Sequence, residues 1–251
     1  MKKLYLILMG GIVSIGSLNA QEKPNLVKVN LLPLTTGTFA VEYERALTSR
    51  LTAVGMFSYR PEGTLPLASI WERYIDDEDT KEILGDTRQG ATSYALEARF
   101  YTGRKGAFRG FYLAPYVKQA TYALNVPLNL EDYDQSQTGV EEFKQIDAQG
   151  NLRAFSAGFG LGFQFKIGNS LALDWRLIGP GYGSSKGTLT AKADRDLTPD
   201  EQQEVREQLD NLGDIPFVTV ESKTVDTKGA ELKIKGPWAG IRTGLSIGYR
   251  F

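Results

Sequence analysis

Apolar and polar residues alternate along most of this chain. From Phe155 to Ile167 every second residue is apolar (Phe155, Ala157, Phe159, Leu161, Phe163, Phe165, Ile167). The residues between them, Ser156, Gly158, Gly160, Gly162, Gln164 and Lys166, are small or polar. A period of two marks an extended strand with one apolar face. The pattern returns in Leu171, Leu173, Trp175 and Leu177 against Ala172, Asp174 and Arg176. It returns again in Ile241, Thr243, Leu245, Ile247, Tyr249 and Phe251 against Arg242, Gly244, Ser246, Gly248 and Arg250. Phe39, Val41 and Tyr43 oppose Ala40, Glu42 and Glu44; Tyr94, Leu96, Ala98 and Phe100 oppose Ala95, Glu97 and Arg99. Weaker runs start at Leu26 (Val27, Val29 and Leu31 against Lys28 and Asn30), Leu51 and Gly110. In the last of these Phe111, Leu113 and Val117 oppose Tyr112, Tyr116 and Lys118. Pro115 interrupts that run and predicts a bulge or bend, since it has no N–H to give a ladder.

These runs make eight predicted strands of roughly 10 residues, the length a tilted membrane strand needs. The segments "FVTVESKTV" and "GAELKIKG" also read as strands. They extend the last two strands or form a hairpin across the mouth; if they enter the wall, the strand number is ten. The links alternate in length. "LTSR", "TGRKGAF" and "IGNS" are short and fall on one side, whereas Arg60–Gly90, Ala120–Asn151 and Gly179–Pro237 are long and fall on the other. The first link on the long side, near Thr36 and Gly37, is the exception. Short turns on one side and long loops on the other are how outer-membrane barrels are built. A soluble sandwich would also alternate, but it has no reason to sort its loops or to set Glu, Lys and Arg so regularly on the face opposite the apolar one.

The expected fold is therefore an all-β, antiparallel transmembrane barrel with long extracellular loops and one short loop helix. Its interior carries Lys28, Arg99, Lys118, Lys166, Arg176, Arg242 and Arg250 against Glu42, Glu44, Glu97 and Asp174. In an eight-stranded lumen these side chains fill the space and pair, because unpaired burial costs several kcal/mol per ion. The excess of positive charge should attract waters or an anion without opening a path.

The start of the chain fits export. Lys2 and Lys3 precede an apolar run from Leu4 to about Leu18, and "LNA" precedes Gln21. This is the layout of a secretory signal peptide over residues 1–20, leaving 21–251 as one barrel domain. Without Lys2 and Lys3, the 29 basic residues become 27 against 30 acidic, a net of −3 that gives nucleic acid no basic surface.

The ending "GLSIGYRF" resembles the terminal signal of outer-membrane proteins, with Phe251, Tyr249, Ile247 and Leu245 at the matching alternate positions. That resemblance implies recognition by the barrel-assembly machinery. "VEYERALTSRLTAV", "GFYLAPYVK" and the "NAQ" at the cleavage site are similar to segments of small Bacteroidota outer-membrane proteins of uncharacterised, OmpA/OmpX-like type. The resemblance implies an integral outer-membrane location with both termini periplasmic and outer-membrane lipids around the wall. It implies no assigned chemistry.

Barrel enzymes such as outer-membrane phospholipases, deacylases, palmitoyltransferases and omptin-like proteases use an active-site histidine, and this chain has none. It also has no cysteine, which removes thiolate metal sites and disulfides. Glu42 and Glu44 share a face, but among inward cations they read as structural. The acidic run Asp76, Asp77, Glu78 and Asp79 lacks the Gly-punctuated spacing of a Ca²⁺ loop and reads as a solvated loop. No catalytic residue, metal site or cofactor is expected.

The long loops hold what remains. Trp71 and Tyr74 beside acids are candidate contacts for a protein partner. Thr198, Pro199 and Glu201 predict a capped helix whose stripe of Val205, Leu209 and Leu212 packs on the barrel rim or on a partner. Two functions stay open: a structural or interaction barrel, such as an accessory subunit of an envelope complex, and a narrow pore or small-ligand channel.

Overall fold

The computed structural model describes residues 23–66, 81, 85–129, 145–193, 195–211 and 219–251. Its strands are β1 Asn25–Asn30, β2 Phe39–Ala46, β3 Leu51–Thr64, β4 Arg88–Tyr101, β5 Gly110–Asn129, β6 Gln145–Ile167, β7 Leu171–Ala193, β8 Thr219–Asp226 and β9 Gly229–Arg250. Every pairing is antiparallel. The order is β1-β2-β3-β4-β5-β6-β7-β9-β8, and β1 also pairs with β9. Eight strands thus close a ring. The ninth, β8, is a hairpin partner lying along the first part of β9 (Val225 opposite Ala230, Thr219 opposite Lys235) and never enters the ring. Closure joins the start of β1 to Phe251: the Asn25 N–H donates to the Phe251 carbonyl at 3.0 Å and the Phe251 N–H to the Asn25 carbonyl at 2.9 Å.

Alternation sorts the two faces. Leu96 is 66 % exposed on the outside while its neighbour Glu97 is 4 % exposed on the inside. Phe39, Tyr94, Phe155, Phe159, Phe165, Trp175, Ile241, Ile247 and Tyr249 share the outer surface. A wall this apolar outside and charged inside inverts a soluble barrel, and it is the arrangement that lipid contact stabilises.

Four details depart from the expected pattern. The first run stops at Asn30: Pro33 cannot continue the ladder, and Leu32–Thr36 form a 3₁₀ turn closed by Gly37 at φ 72°. Pro115 makes no bulge. Glu97 pairs with Tyr116 and Phe100 with Leu113 in one unbroken register, and the rungs between are simply absent on the β4 side. On the β6 side Pro115 keeps its place opposite Phe159. A bulge does occur in β7 between Arg176 and Gly179. It moves the inward face from Ala172, Asp174 and Arg176 to Gly179 and Ser185, and so takes Leu177 out of the expected sequence. Finally, much of the expected loop sequence is strand. The β5–β6 pair runs from Gly110 opposite Gln164 to Asn129 opposite Gln145, and β7–β9 stays paired to Lys192 opposite Gly229.

The wall is uneven in consequence. β1 and β2 have 6 and 8 residues, whereas β6, β7 and β9 have 23, 23 and 22. Above Leu31, whose N–H donates to Leu245 at 2.7 Å, no described strand pairs with the free edge of β9 from Gly236 to Gly244. Among the described residues the 3₁₀ turn packs against both β2 and β9 there.

Beyond the wall, helix α1 (Pro199–Asn211) starts as its sequence directs. Glu201 N–H donates to Thr198 Oγ1 at 3.3 Å, and Thr198 N–H donates to Glu201 Oε2 at 2.7 Å, a reciprocal capping box with Pro199 in the first turn. The Arg195 guanidinium holds the Glu201 carboxylate at 2.7 Å. That contact, with the Thr198 bonds, lowers the Glu201 carboxyl to about 2. The helix packs on β8 rather than on the barrel rim, with Arg206 Nη2 donating to the Val225 carbonyl at 3.2 Å. Val205 is half-buried. The Leu209 side chain, Leu212, the signal segment, Asp76–Asp79 and the pair Trp71 and Tyr74 lie outside what is described.

Candidate functional site

The lumen is built in layers. The end that holds the chain termini is closed by an apolar floor of Leu26, Tyr101, Phe108, Tyr112, Ala114 and Ala172. Phe108 enters it from the β4–β5 turn. Gly106 and Gly110 bend the chain there at φ 77° and 90°, and Phe108 itself sits at φ 65°. A left-handed non-glycine residue is held only where its surroundings fix it. Here the Ala107 N–H donates to Ser49 at 2.7 Å, and the Arg250 guanidinium lies over the Phe108 ring at 4.8 Å.

Above the floor lies a layer of charge. Lys28 from β1 places Nζ 2.5 Å from Asp174, 2.8 Å from Glu44 and 3.1 Å from Glu42. Arg99 from β4 reaches Asp174 at 2.5 Å, Glu97 at 2.6 Å and Glu44 at 3.2 Å. Arg176 meets Glu42 at 3.3 Å and Glu97 at 3.6 Å, and Arg242 meets Glu97 at 3.3 Å. Hydroxyls fill further acceptor positions on Glu44 and Asp174. Thr52 and Tyr101 donate to Glu44 Oε1 at 2.6 and 2.7 Å, and Tyr112 donates to Asp174 Oδ1 at 2.8 Å. Tyr101 also bonds Gln164. Four cations face four carboxylates, so the layer is neutral. Its members lie on β1, β2, β4, β7 and β9 and cross-link the ring from within. Desolvation makes such pairs expensive to build, and breaking one leaves a bare charge.

Two tyrosines of β5 lie along the inner wall over positions of β6 and β7 that have no side chain. A Cβ on Gly162 would stand 2.5 Å from the Tyr112 hydroxyl, and one on Gly181 would collide with that of Tyr116. The rings in turn carry Arg99 at 4.3 Å and Arg242 at 4.1 Å from their centroids.

The charges expected in the interior are therefore brought together with three exceptions. Arg250 lies at the floor's outer side, donating from Nε to the Lys23 carbonyl at 2.8 Å. Lys166 lies near the same mouth, and Lys118 stands above the neutral layer. Sequence reasoning missed Thr52 and Tyr101 as members, and it put Gln164 and Ser246 on the inner face without giving them a role; Ser246 Oγ donates to Glu42 Oε1 at 3.3 Å. Thr52 and Tyr101 occupy inward positions of their strands, which parity alone could have flagged. Nothing in the sequence marked Phe108 except the glycines that flank its turn. Leu245, Ile247, Tyr249 and Phe251 lie on the outer side of the strand that closes the ring.

Above the charge layer a cavity of about 390 Å³ opens, lined by Asn30, Thr38, Ser58, Lys118, Arg176 and Arg242 among others.

A closed antiparallel ring with an apolar outer belt and an ion-paired lumen defines the class: a transmembrane β-barrel. The chain belongs to the family described as protein of unknown function (DUF3575), whose profile matches residues 6–194. No curated protein matches the sequence. Among solved structures it is similar to the N-terminal β-barrel domain of Pseudomonas aeruginosa OprF. The two share 9% identity over 91% of this chain and 98% of that one, with a TM-score of 0.29.

Proposed function

We propose that this is an integral outer-membrane barrel that neither conducts nor catalyses, and that it acts as a structural and interaction protein through the end carrying the long links. The sealed lumen carries this reading. A floor closed by Phe108 and a neutral, cross-linked charge layer leave no path for ions, while β8 and α1 build ordered surface above the wall. Residues 1–20 act as the export signal. The last strand, ending in Phe251, presents Leu245, Ile247 and Tyr249 to the assembly machinery. The termini and short turns face the periplasm. The chain then stands with small Bacteroidota barrels of OmpA/OmpX-like type, as an accessory subunit of an envelope complex.

Planar-bilayer recording of the purified protein tests the sealed lumen. No single-channel steps are expected. Stable, ion-selective steps that disappear on mutating Arg176 or Glu97 would promote the pore instead. Excising 198–214 across a short Gly-Ser link should leave heat-modifiable assembly intact and reduce the proteins that co-purify in mild detergent.

A further inference from the structure

The cavity above the charge layer has an unbalanced charge. The eight groups beneath it cancel, and Lys118 is extra. Among the described residues none gives Lys118 a carboxylate or a hydrogen bond, and the charged groups nearest it are Arg242 and Arg176, both cations. Those two also have unused donors. Arg176 Nε and Arg242 Nη1 are buried without a hydrogen-bond acceptor. The nearest acceptor, Glu97 Oε2, is itself without a hydrogen bond and lies 3.6 Å from the first, beyond hydrogen-bond reach, and 3.3 Å from the second. Ser58 and Ser93, whose hydroxyls are 2.7 Å apart, and Thr38 add neutral donors around the same space. Buried donors without acceptors are rare and call for an occupant. The lining also holds one carboxylate, Glu42, already engaged by Lys28 at 3.1 Å and Arg176 at 3.3 Å, so three cations and three hydroxyls leave the chamber net positive and suit a compact group with several acceptor oxygens.

The chamber also has a side entrance. It lies behind the short β1–β2 hairpin, where the wall is lowest and β9 keeps a free edge among the described residues. Leu32, Pro33 and Ile241 stand at that edge and line the same space, and Ile241 is 72 % exposed. An apolar lip beside a cationic chamber admits an amphiphile whose headgroup turns inward. Among the described residues none covers the chamber from above, and a free anion enters that way. With about 390 Å³ the chamber has room for on the order of a dozen waters, enough for one headgroup and not for a chain.

We propose that the upper lumen is a blind-ended binding site for a phosphate monoester group, held by Lys118 with Arg242 and Arg176 and reached over the low β1–β2 wall or from above.

The test uses the full-length protein refolded in zwitterionic detergent. One arm titrates inorganic phosphate by calorimetry. The other measures retention of spin-labelled phosphatidic acid against spin-labelled phosphatidylcholine in phosphatidylcholine vesicles. Lys118 lies outside the neutral layer, so Lys118→Met should keep the wild-type urea midpoint and weaken phosphate binding at least tenfold. Lys118→Arg should keep most of the affinity, and Lys166→Met at the far mouth should change nothing. Saturable phosphate binding with no selective lipid retention supports a site fed from solution. Retention of phosphatidic acid that free phosphate displaces and Lys118→Met abolishes supports one fed from the leaflet. No saturable binding in either arm, or equal binding by Lys118→Met, overturns the proposal. Neither result depends on whether the loops bind a protein.

Discussion

Replacing Lys28 by Met should be among the most damaging single changes in this barrel. Its ammonium is fully buried and lies within 3.1 Å of three carboxylates. Methionine matches the stem in length but removes one of four cations, leaving the layer one negative charge in excess. Breaking a buried ion pair from one side costs about 3–5 kcal/mol, because the abandoned partner remains desolvated. Adding Glu44→Gln restores neutrality. The new amide keeps an oxygen for Thr52 and Tyr101, whose bonds of 2.6 and 2.7 Å both go to Glu44 Oε1. Its nitrogen then replaces the oxygen that faced Lys28. With Lys28 still in place that nitrogen would oppose two donors, Lys28 Nζ and Arg99 Nη1, whereas beside a methionine only the Arg99 donor at 3.2 Å remains. The double variant should therefore recover about 1–3 kcal/mol relative to the sum of the single variants. Urea unfolding in phosphatidylcholine vesicles, followed by tryptophan fluorescence and heat-modifiable migration, measures all four corners of the cycle. Trp175, which faces outward from β7, reports insertion. A Lys28→Met cost below about 1 kcal/mol, or strict additivity of the two changes, would refute the idea that charge balance holds the lumen together.

Two further outcomes follow from position. Leu245→Arg puts a charge on the outer belt and should cost about 2–4 kcal/mol at mid-depth, as vesicle unfolding would measure. Gly244→Arg should be damaging for a different reason: a Cβ there meets Asn30 Nδ2 at 2.6 Å and Arg176 Nη1 at 3.1 Å, so the change displaces both side chains and adds a fifth cation beside the neutral layer, and folding in detergent should be weakened as well. At the capped helix, Glu201 gains its stability from being ionised. Its carboxyl is lowered from 4.5 to about 2 by the Arg195 contact and the Thr198 bonds, so that contribution is complete above pH 4.5 and lost as pH falls toward 2. Protection factors at the α1 amides should fall across that window, and Thr198→Ala should weaken the helix by about 1 kcal/mol; flat protection from pH 5 to 2 would count against both.

The faces of the strands were legible because a lipid-facing wall leaves its alternation in the sequence. Lys28, Glu42, Glu44, Glu97, Arg99, Asp174 and Arg176 could each be placed inside by parity. Which cation meets which carboxylate was not legible. Lys28 and Asp174 are 146 positions apart, and their meeting depends on the stagger of strands around the ring, which no local pattern encodes. The bulge in β7 was hidden for a similar reason: one inserted residue flips the face, and the glycines that follow leave no apolar signal to show it. Strand lengths were underestimated because alternation fades where β7 and β9 leave the apolar belt. Thr188, Thr190 and Lys192 lie opposite Lys233, Glu231 and Gly229 there, and a strand with water on both sides resembles a loop in composition. The helix cap was fully legible, since Thr198, Pro199 and Glu201 act through neighbours three residues away at most.

The unequal strand lengths set how far the molecule stands off from its bilayer. A strand of 23 residues, such as β6 or β7, has a contour of about 75 Å at about 3.3 Å per residue. Tilted by about 40°, it rises about 58 Å, of which the hydrocarbon takes up about 30 Å. Roughly half of the tall side therefore projects like a curved screen beyond the hydrocarbon, while the β1–β2 side ends close to the headgroups. Anything approaching across the membrane plane meets a barrier on one bearing and a step on the other. The barrel thus imposes a direction on its surroundings that a level rim could not.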